Sequence, residues 1–203
     1  MDMRLSVEIK GLVPMIQHNG QLANPFNRFV VAMKKITSKH HSKVTMDDRL
    51  ELSRLEFLGG LYLDEKEHPC IPGEVIEGFC RKAAKKYSKG KESLAGVRSY
   101  GNWPLIYTGP KTADKLWANK SFVDVRNMAL DKKKILRTRP IFPEWALRFE
   151  MQYEPEVIDL ETVKDILAAG SVTHGLGDST PRYGRFAVVR IEELGEVALP
   201  AIG

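Results

Sequence analysis

Between Arg4 and Ile9 polar and apolar residues alternate, with Leu5, Val7 and Ile9 on one side. This is the two-residue period of a half-buried strand, ended by Gly11 and Pro14. In IPGEVIEGFCRKAAKKY the apolar positions Val75, Ile76, Phe79, Cys80, Ala83, Ala84 and Tyr87 recur at helical spacing. They predict a helix over 73–87 whose other side carries Arg81, Lys82, Lys85 and Lys86. Residues 145–153 alternate over nine positions and predict a central strand; Asp159 to Ala169 predicts a short helix closed by Gly170; residues 186–191 predict a last strand.

Upstream, NPFNRFVVAMKKI predicts a helix with Asn24 as cap and Pro25 at its first position. Thr45 to Asp48 matches a capping box before RLELSRLEFLGG, where Leu50, Leu52, Leu55 and Leu58 give an apolar stripe ending at Gly59 and Gly60. Leu61 to Leu63 reads as a short strand. Residues 88–132 have weak periodicity and yield only short strands at 105–107 and 121–125. The ribbon 132–139 together with 145–153 predicts a hairpin-like arm feeding the central strand. In chain order the clear elements run strand, helix, strand, strand, helix, strand. That predicts an α+β fold with a ferredoxin-like, RRM-type βαββαβ core. The reading is of one domain over 1–203, with an inserted helical and basic finger segment at 24–60 and a second insertion at 88–142 carrying the basic, thumb-like β-hairpin ribbon.

Composition narrows the function. The 203 residues are 43% hydrophobic and 28% charged, as in a soluble domain. The first residues lack the apolar core of a signal peptide, and no run approaches the ~18 apolar residues that a membrane span needs. No membrane partner and a cytoplasmic location are expected. Cys70 and Cys80 stand alone without a CxxC pair, so neither a zinc knuckle nor a disulfide is expected. No set of His, Cys, Asp and Glu has metal-ligand spacing, and neither metal nor other cofactor is predicted.

Thirty-one Lys and Arg against 26 Asp and Glu give a net charge of +5, which matters where it is concentrated. It recurs in four places: Lys34, Lys35, Lys39 and Lys43; Arg81, Lys82, Lys85 and Lys86; Lys132, Lys133, Lys134, Arg137 and Arg139; and Arg182 with Arg185. Each alone is compatible with a solvated face. Together, with Tyr100, Trp103, Phe142 and Tyr183 interleaved, they form the charge-plus-aromatic footprint of a single-strand binder.

The stretch GLGDSTPRYGRF, 175–186, holds Gly175, Gly177 and Gly184 around Arg182, Tyr183 and Arg185. Glycines permit positive φ and close backbone approach, so amides and arginines can face a phosphate while Tyr183 stacks on a base. A plain turn from helix to strand uses the same residues, and both readings stand. The stretch leads from helix into strand and lacks GK[ST], which excludes a dinucleotide or P-loop site. His18, His40, His41, His68 and His174 are the available general bases. None sits in a catalytic spacing, and His18 or His174 is the candidate if the chain cleaves RNA without metal.

IPGEVIEGFCRKAAKK after the first strand and GLGDSTPRYGRF before the last resemble the two hallmarks of the RAMP superfamily of CRISPR-associated proteins, most closely its family-seven backbone subunits. The resemblance implies a ferredoxin-like fold that grips guide RNA by shape and backbone. It assigns Ile71, Pro72, Gly73, Gly78 and Arg81 to the helix start, and Gly175, Gly177, Arg182, Tyr183, Gly184 and Arg185 to the nucleic-acid loop. Segments 34–43 and 132–139 become finger and thumb. Glu74 and Glu77 stand where the family usually has Ser and Lys, and the small size is similar to short stand-alone forms carried by phages and prophages. The implied function is non-enzymatic, sequence-tolerant binding of single-stranded RNA or ssDNA by protomers that assemble side by side into a filament, with CRISPR or phage recombination proteins as further partners. The alternatives are a metal-independent endoribonuclease processing guide RNA, and a phage mimic of the backbone subunit that inhibits host CRISPR complexes.

Overall fold

A computed structural model describes residues 1–130 and 133–197. In chain order its elements are β1 (Met3–Gly11), β2 (Met15–Ile16), α1 (Arg28–Thr37), α2 (Met46–Gly60), β3 (Cys70–Pro72), α3 (Gly73–Ala84), α4 (Gly90–Gly96), β4 (Val97–Arg98), β5 (Asn102–Ile106), α5 (Ala113–Ala118), β6 (Val123–Leu130), β7 (Lys133–Phe142), β8 (Ala146–Tyr153), α6 (Leu160–Thr173) and β9 (Phe186–Glu196). Helices and antiparallel sheet make the chain α+β. They divide between two compact units.

The first unit takes Met1–Met15, Cys70–Thr108 and the chain from Glu144 onward. Its strands lie in the order β3-β5-β8-β1-β9, with β4 also on β8. β1 pairs antiparallel with β8 and β9, so that Val7 faces Phe149 on one side and Ile191 on the other. The alternation at 4–9 does what its period predicts. Leu5, Val7 and Ile9 are buried with Leu147, Phe149 and Met151, and the helices add Ile76, Phe79, Ala83, Val163, Ile166 and Leu167 to this core. The opposite sheet face is polar: Glu8 pairs with Arg148 at 2.6 Å, and Arg190 with Glu192 at 3.1 Å.

The second unit takes Ile16–Pro69 and Gly109–Pro143. Its sheet runs β2-β7-β6. β6 and β7 form a hairpin in which Asp124 opposes Arg139 and Arg126 opposes Arg137. α2 opens on the predicted capping box, Thr45 accepting from the Asp48 amide at 3.1 Å and the Asp48 carboxylate accepting from the Thr45 amide at 3.0 Å. Phe57 packs on Trp117 and Phe122 on Phe142.

Four expectations are corrected. α1 begins at Arg28 under the cap of Asn27, which accepts from the Phe29 amide at 2.9 Å; Asn24 instead closes the preceding turn by accepting from the Phe26 amide at 3.0 Å. The buried stripe of α2 starts at Leu55, leaving Leu50 exposed. α6 does not stop at Gly170, because that glycine serves packing: a Cβ there would lie 2.6 Å from the Ala83 Cβ and 2.7 Å from the Phe79 ring. The strand partner of the basic ribbon is β6, upstream, and not the 145–153 strand. The weakly periodic stretch also holds α4 and α5, each too short to show a period.

Candidate nucleic-acid interface

The junction of β3 and α3 explains the residues IPGEVIEG locally. Ile71 is buried, and Pro72 ends the strand without donating an amide. Gly73 then passes so close to the 98–102 segment that a Cβ would sit 1.7 Å from the Ser99 carbonyl oxygen, and its own amide donates to the Gly101 carbonyl at 2.8 Å. Glu77 accepts from the Ser99 amide at 2.8 Å. The Ser99 hydroxyl donates to the Glu150 carbonyl at 2.7 Å and accepts from the Trp103 indole at 3.0 Å. Glu77 therefore fastens α3 to the sheet, and only Glu74 of this pair is exposed.

Fixed in this way, α3 and the 3-10 turn that continues it at Lys85–Tyr87 present Arg81, Lys82, Lys85 and Lys86 to solvent. Lys89 and Lys91 at the start of α4 are exposed too, with Lys89 3.3 Å from Glu92. These two lysines were not singled out from the sequence, although KKYSKGK is visibly a continuing basic run. Between the helices lies a groove lined by Glu74, Gly78, Arg81, Leu94 and Arg98. Arg98 donates to the Leu94 and Val97 carbonyls at 2.6 and 2.7 Å. Of the nominated aromatics, Tyr100 is exposed; Trp103 is half-buried as the Ser99 donor, and Phe142 is buried.

The glycine loop belongs to the same unit and crosses itself. Gly175, Gly177 and Gly184 have φ of 78°, 86° and 74°. A Cβ on Gly184 would be 1.7 Å from the Leu176 carbonyl oxygen, and one on Gly175 would be 2.7 Å from Gly184. The Leu176 amide donates to the Gly184 carbonyl at 2.9 Å, and the Gly184 amide to the Pro14 carbonyl at 2.8 Å. Below the crossing Phe186 packs on Phe79 of α3 and on Trp145. Two of the three glycines are thus demanded by the turn itself. The tip then carries Arg182 exposed, with Tyr183 and Arg185 half-buried, on a base that is fixed at both ends. An exposed guanidinium on a rigid support suits bidentate phosphate recognition.

In the second unit Lys34 and Lys35 sit on the last turn of α1 rather than in a loop, and Lys43 is exposed beyond it. Lys39 lies 2.6 Å from Asp48, and this hydrogen bond is the main cause of the lowered Asp48 carboxyl pKa. Arg139 does not project as a thumb would require, and Arg137 is half-exposed but paired. The Arg137 guanidinium is 2.5 Å from Glu56, whose second oxygen accepts from the Thr138 amide at 2.8 Å. Arg139 is 2% exposed and 3.3 Å from Asp124, which also holds Arg126. Two buried carboxylates thus take up the arginines of the hairpin as internal ties. Lys132 and the side chain of Lys134 lie outside the described residues.

His18 is exposed in the second unit, and His174 is half-buried in the first with its Nδ1 2.8 Å from the Thr173 hydroxyl. Among the described residues no group of three His, Cys, Asp or Glu is placed to hold a metal ion, and no helix is long and apolar enough to cross a membrane. Both cysteines are buried and unbridged; burial pushes the Cys80 thiol up to about 12. The polar face of the first sheet carries no aromatic side chain among its described strand residues, so it lacks the stacking platform by which an RRM reads bases.

No protein-family model matches the chain, and no curated protein matches it either. Among solved structures, it is similar to a chain of the type III-B Cmr-beta structure bound to cognate target RNA, with a TM-score of 0.52 and 15% identity over 96% of this chain. This chain spans 61% of that one. It is also similar to Cmr6 from Pyrococcus furiosus, with a TM-score of 0.44 and 12% identity over 93% of this chain and 99% of the other. The first likeness establishes a shared fold.

Proposed function

We propose that this is a RAMP-type subunit, similar to the family-seven backbone proteins, that binds single-stranded RNA or ssDNA without cutting it. Phosphates are gripped within the first unit, from the outer face of α3 and the turn after it, the start of α4 and the tip of the 175–186 loop; Lys34, Lys35 and Lys43 form a separate basic patch on the second unit. Protomers line up side by side along the strand. The observation that carries the reading is the loop: its crossing glycines lock the backbone, the locked backbone offers Arg182 to solvent, and Phe186 at its base packs on Phe79 of α3. Two others support it. The order β5-β8-β1-β9 with α3 and α6 is compatible with a ferredoxin-like βαββαβ core, and the solved chain of similar fold comes from a structure bound to target RNA.

Binding without base-reading aromatics on the sheet depends on phosphate contacts and is sequence-tolerant. The non-catalytic reading is supported by the neighbour of His174: the Thr173 hydroxyl, 2.8 Å from its Nδ1, orients the ring without the anionic charge by which a carboxylate supports a general base. The test is competition for a labelled single-stranded oligonucleotide by unlabelled single-stranded RNA, single-stranded DNA and duplexes, with EDTA present. The reading expects single strands of unrelated sequence to compete equally, duplexes to compete poorly, and the RNA to be recovered intact. Equal competition by duplex would overturn the single-strand specificity, and discrete cleavage lost on His174→Ala or His18→Ala would replace the binder with the nuclease.

A further inference from the structure

The surface formed by the first turn of α1, α2 and the start of α5 carries none of the residues assigned to phosphate, and it holds both a knob and a cleft. Phe26 is 89% exposed. It is nevertheless held in place, because its amide donates to the Asn24 carboxamide at 3.0 Å and the Asn27 amide donates to the Asn24 carbonyl at 3.1 Å. A large aromatic fixed by its backbone in full contact with water loses the burial that makes such a side chain favourable. Two residues on, Arg28 lines a cleft of about 440 Å³ whose apolar walls are Phe29, Leu55, Leu58 and Leu63. That volume falls in the range of pockets that enclose a side chain or small molecule. The rim is charged with both signs. Arg28 lies 4.7 Å from the centre of the Phe29 ring, Arg54 and Asp114 pair with each other at 3.0 Å on the cleft, and Glu67 stands there with an exposed carboxylate.

We propose that this patch is a two-fold contact between two copies of this chain, in which Phe26 of each copy fills the Phe29–Leu55–Leu58–Leu63 cleft of the other. The self-complementary arrangement argues for a second copy as occupant. An isologous interface needs knob and receptor on one patch, so that each copy gives and receives the same contact. It also needs opposite charges on that patch, and Arg28 flanks the knob while Glu67 rims the cleft. Leu50, one turn before the cleft residue Arg54 on α2, adds an exposed apolar side chain to that side of the helix. Such a contact closes at two copies. It is therefore distinct from the side-by-side assembly along a strand, and it does not depend on nucleic acid.

The experiment is sedimentation velocity on nuclease-treated full-length protein over a concentration series. The expected result is a monomer–dimer equilibrium that Phe26→Ser weakens by at least about tenfold, as loss of a central aromatic anchor does. Phe26→Ser removes no burial within the monomer, so its thermal midpoint stays at the wild-type value. Arg28→Glu and Glu67→Lys each weaken the dimer, and the double variant restores it. Wild-type protein that stays monomeric throughout the series, a Phe26→Ser variant that dimerises as wild type does, or a small molecule found by native mass spectrometry in the cleft of a monomer would each overturn the proposal. None of these outcomes bears on oligonucleotide binding, so the two readings fail separately.

Discussion

Gly184 is the residue on which the glycine loop depends most, and Gly195 provides a matched control. Both have positive φ, 74° and 87°. A Cβ on Gly195 meets nothing within 4 Å, whereas one on Gly184 meets the Leu176 carbonyl oxygen at 1.7 Å and the Leu176 amide nitrogen at 3.0 Å. Alanine in the left-handed region costs about 1–2 kcal/mol at either site. At Gly184 the overlap with a backbone oxygen cannot be relieved by turning a side chain, so the strands of the crossing must separate. That strains or breaks the Leu176–Gly184 and Gly184–Pro14 hydrogen bonds, 2.9 and 2.8 Å long. Burying their groups unpaired costs about 1–3 kcal/mol each. Gly184→Ala is therefore expected to destabilise by about 3–8 kcal/mol, a large part of a total of about 5–15 kcal/mol for an ordinary domain. Gly195→Ala costs about 1–2 kcal/mol. Urea unfolding followed by tryptophan fluorescence measures both, since Trp145 sits beneath the loop with its ring against Phe186. If the two variants unfold within about 0.5 kcal/mol of each other, a difference that ordinary surface changes produce, the crossing is not what requires glycine at 184.

The same comparison applies to α3. Gly73→Ala drives a Cβ into the Ser99 carbonyl and should destabilise severely, while Gly78→Ala meets nothing and should stabilise by about 0.5–1 kcal/mol through helix propensity; equal effects in chemical denaturation would contradict the geometry. Glu56→Gln leaves Arg137 without its anion and should cost about 1–3 kcal/mol, with amide exchange accelerated in β7; unchanged exchange there would remove Glu56 as the hairpin's tie. Asp159 caps α6, and its carboxyl pKa is lowered first by the hydrogen bond from the Thr162 amide and then by that from the Thr162 hydroxyl. A lowered folded-state pKa contributes stability above the ordinary value of 3.8 and loses it as the pH falls through the folded value. Asp159→Ala should therefore be less stable than wild type at pH 7, with the gap closing below about pH 4; a gap independent of pH would refute the charged cap.

Patterns that are local in the chain were legible in advance. The alternation of Leu5, Val7 and Ile9, the helical repeat of α3 and the Thr45 capping box each depend on neighbours within a few residues, and each formed as its chemistry requires. What the sequence hid was set by distant partners. Gly170 looks like a helix stop, yet it is the point where α3 comes against α6, a contact made by Ala83 and Phe79 far away in the chain. Arg137 and Arg139 look like a binding ribbon because Glu56 and Asp124, which absorb them, are 81 and 15 positions distant. Charge content alone cannot tell an internal tie from an exposed contact. In the glycine loop the turn reading is seen directly, since Gly175 and Gly184 make the crossing, and the same crossing leaves Arg182 exposed.

The central claim is that exposed basic residues of α3 and of the loop tip hold the phosphates of a single strand, and the dependence of oligonucleotide affinity on salt tests it most directly. The account predicts a steep linear fall of log affinity with log salt for wild type. Arg182→Ala and Lys85→Ala should each lower the slope by about 0.7, the share of one contact to a single strand. Lys115→Ala, an exposed change on α5 of the second unit, should leave the slope where it is. Binding that does not respond to salt, or slopes unaltered by Arg182→Ala and Lys85→Ala, would contradict it.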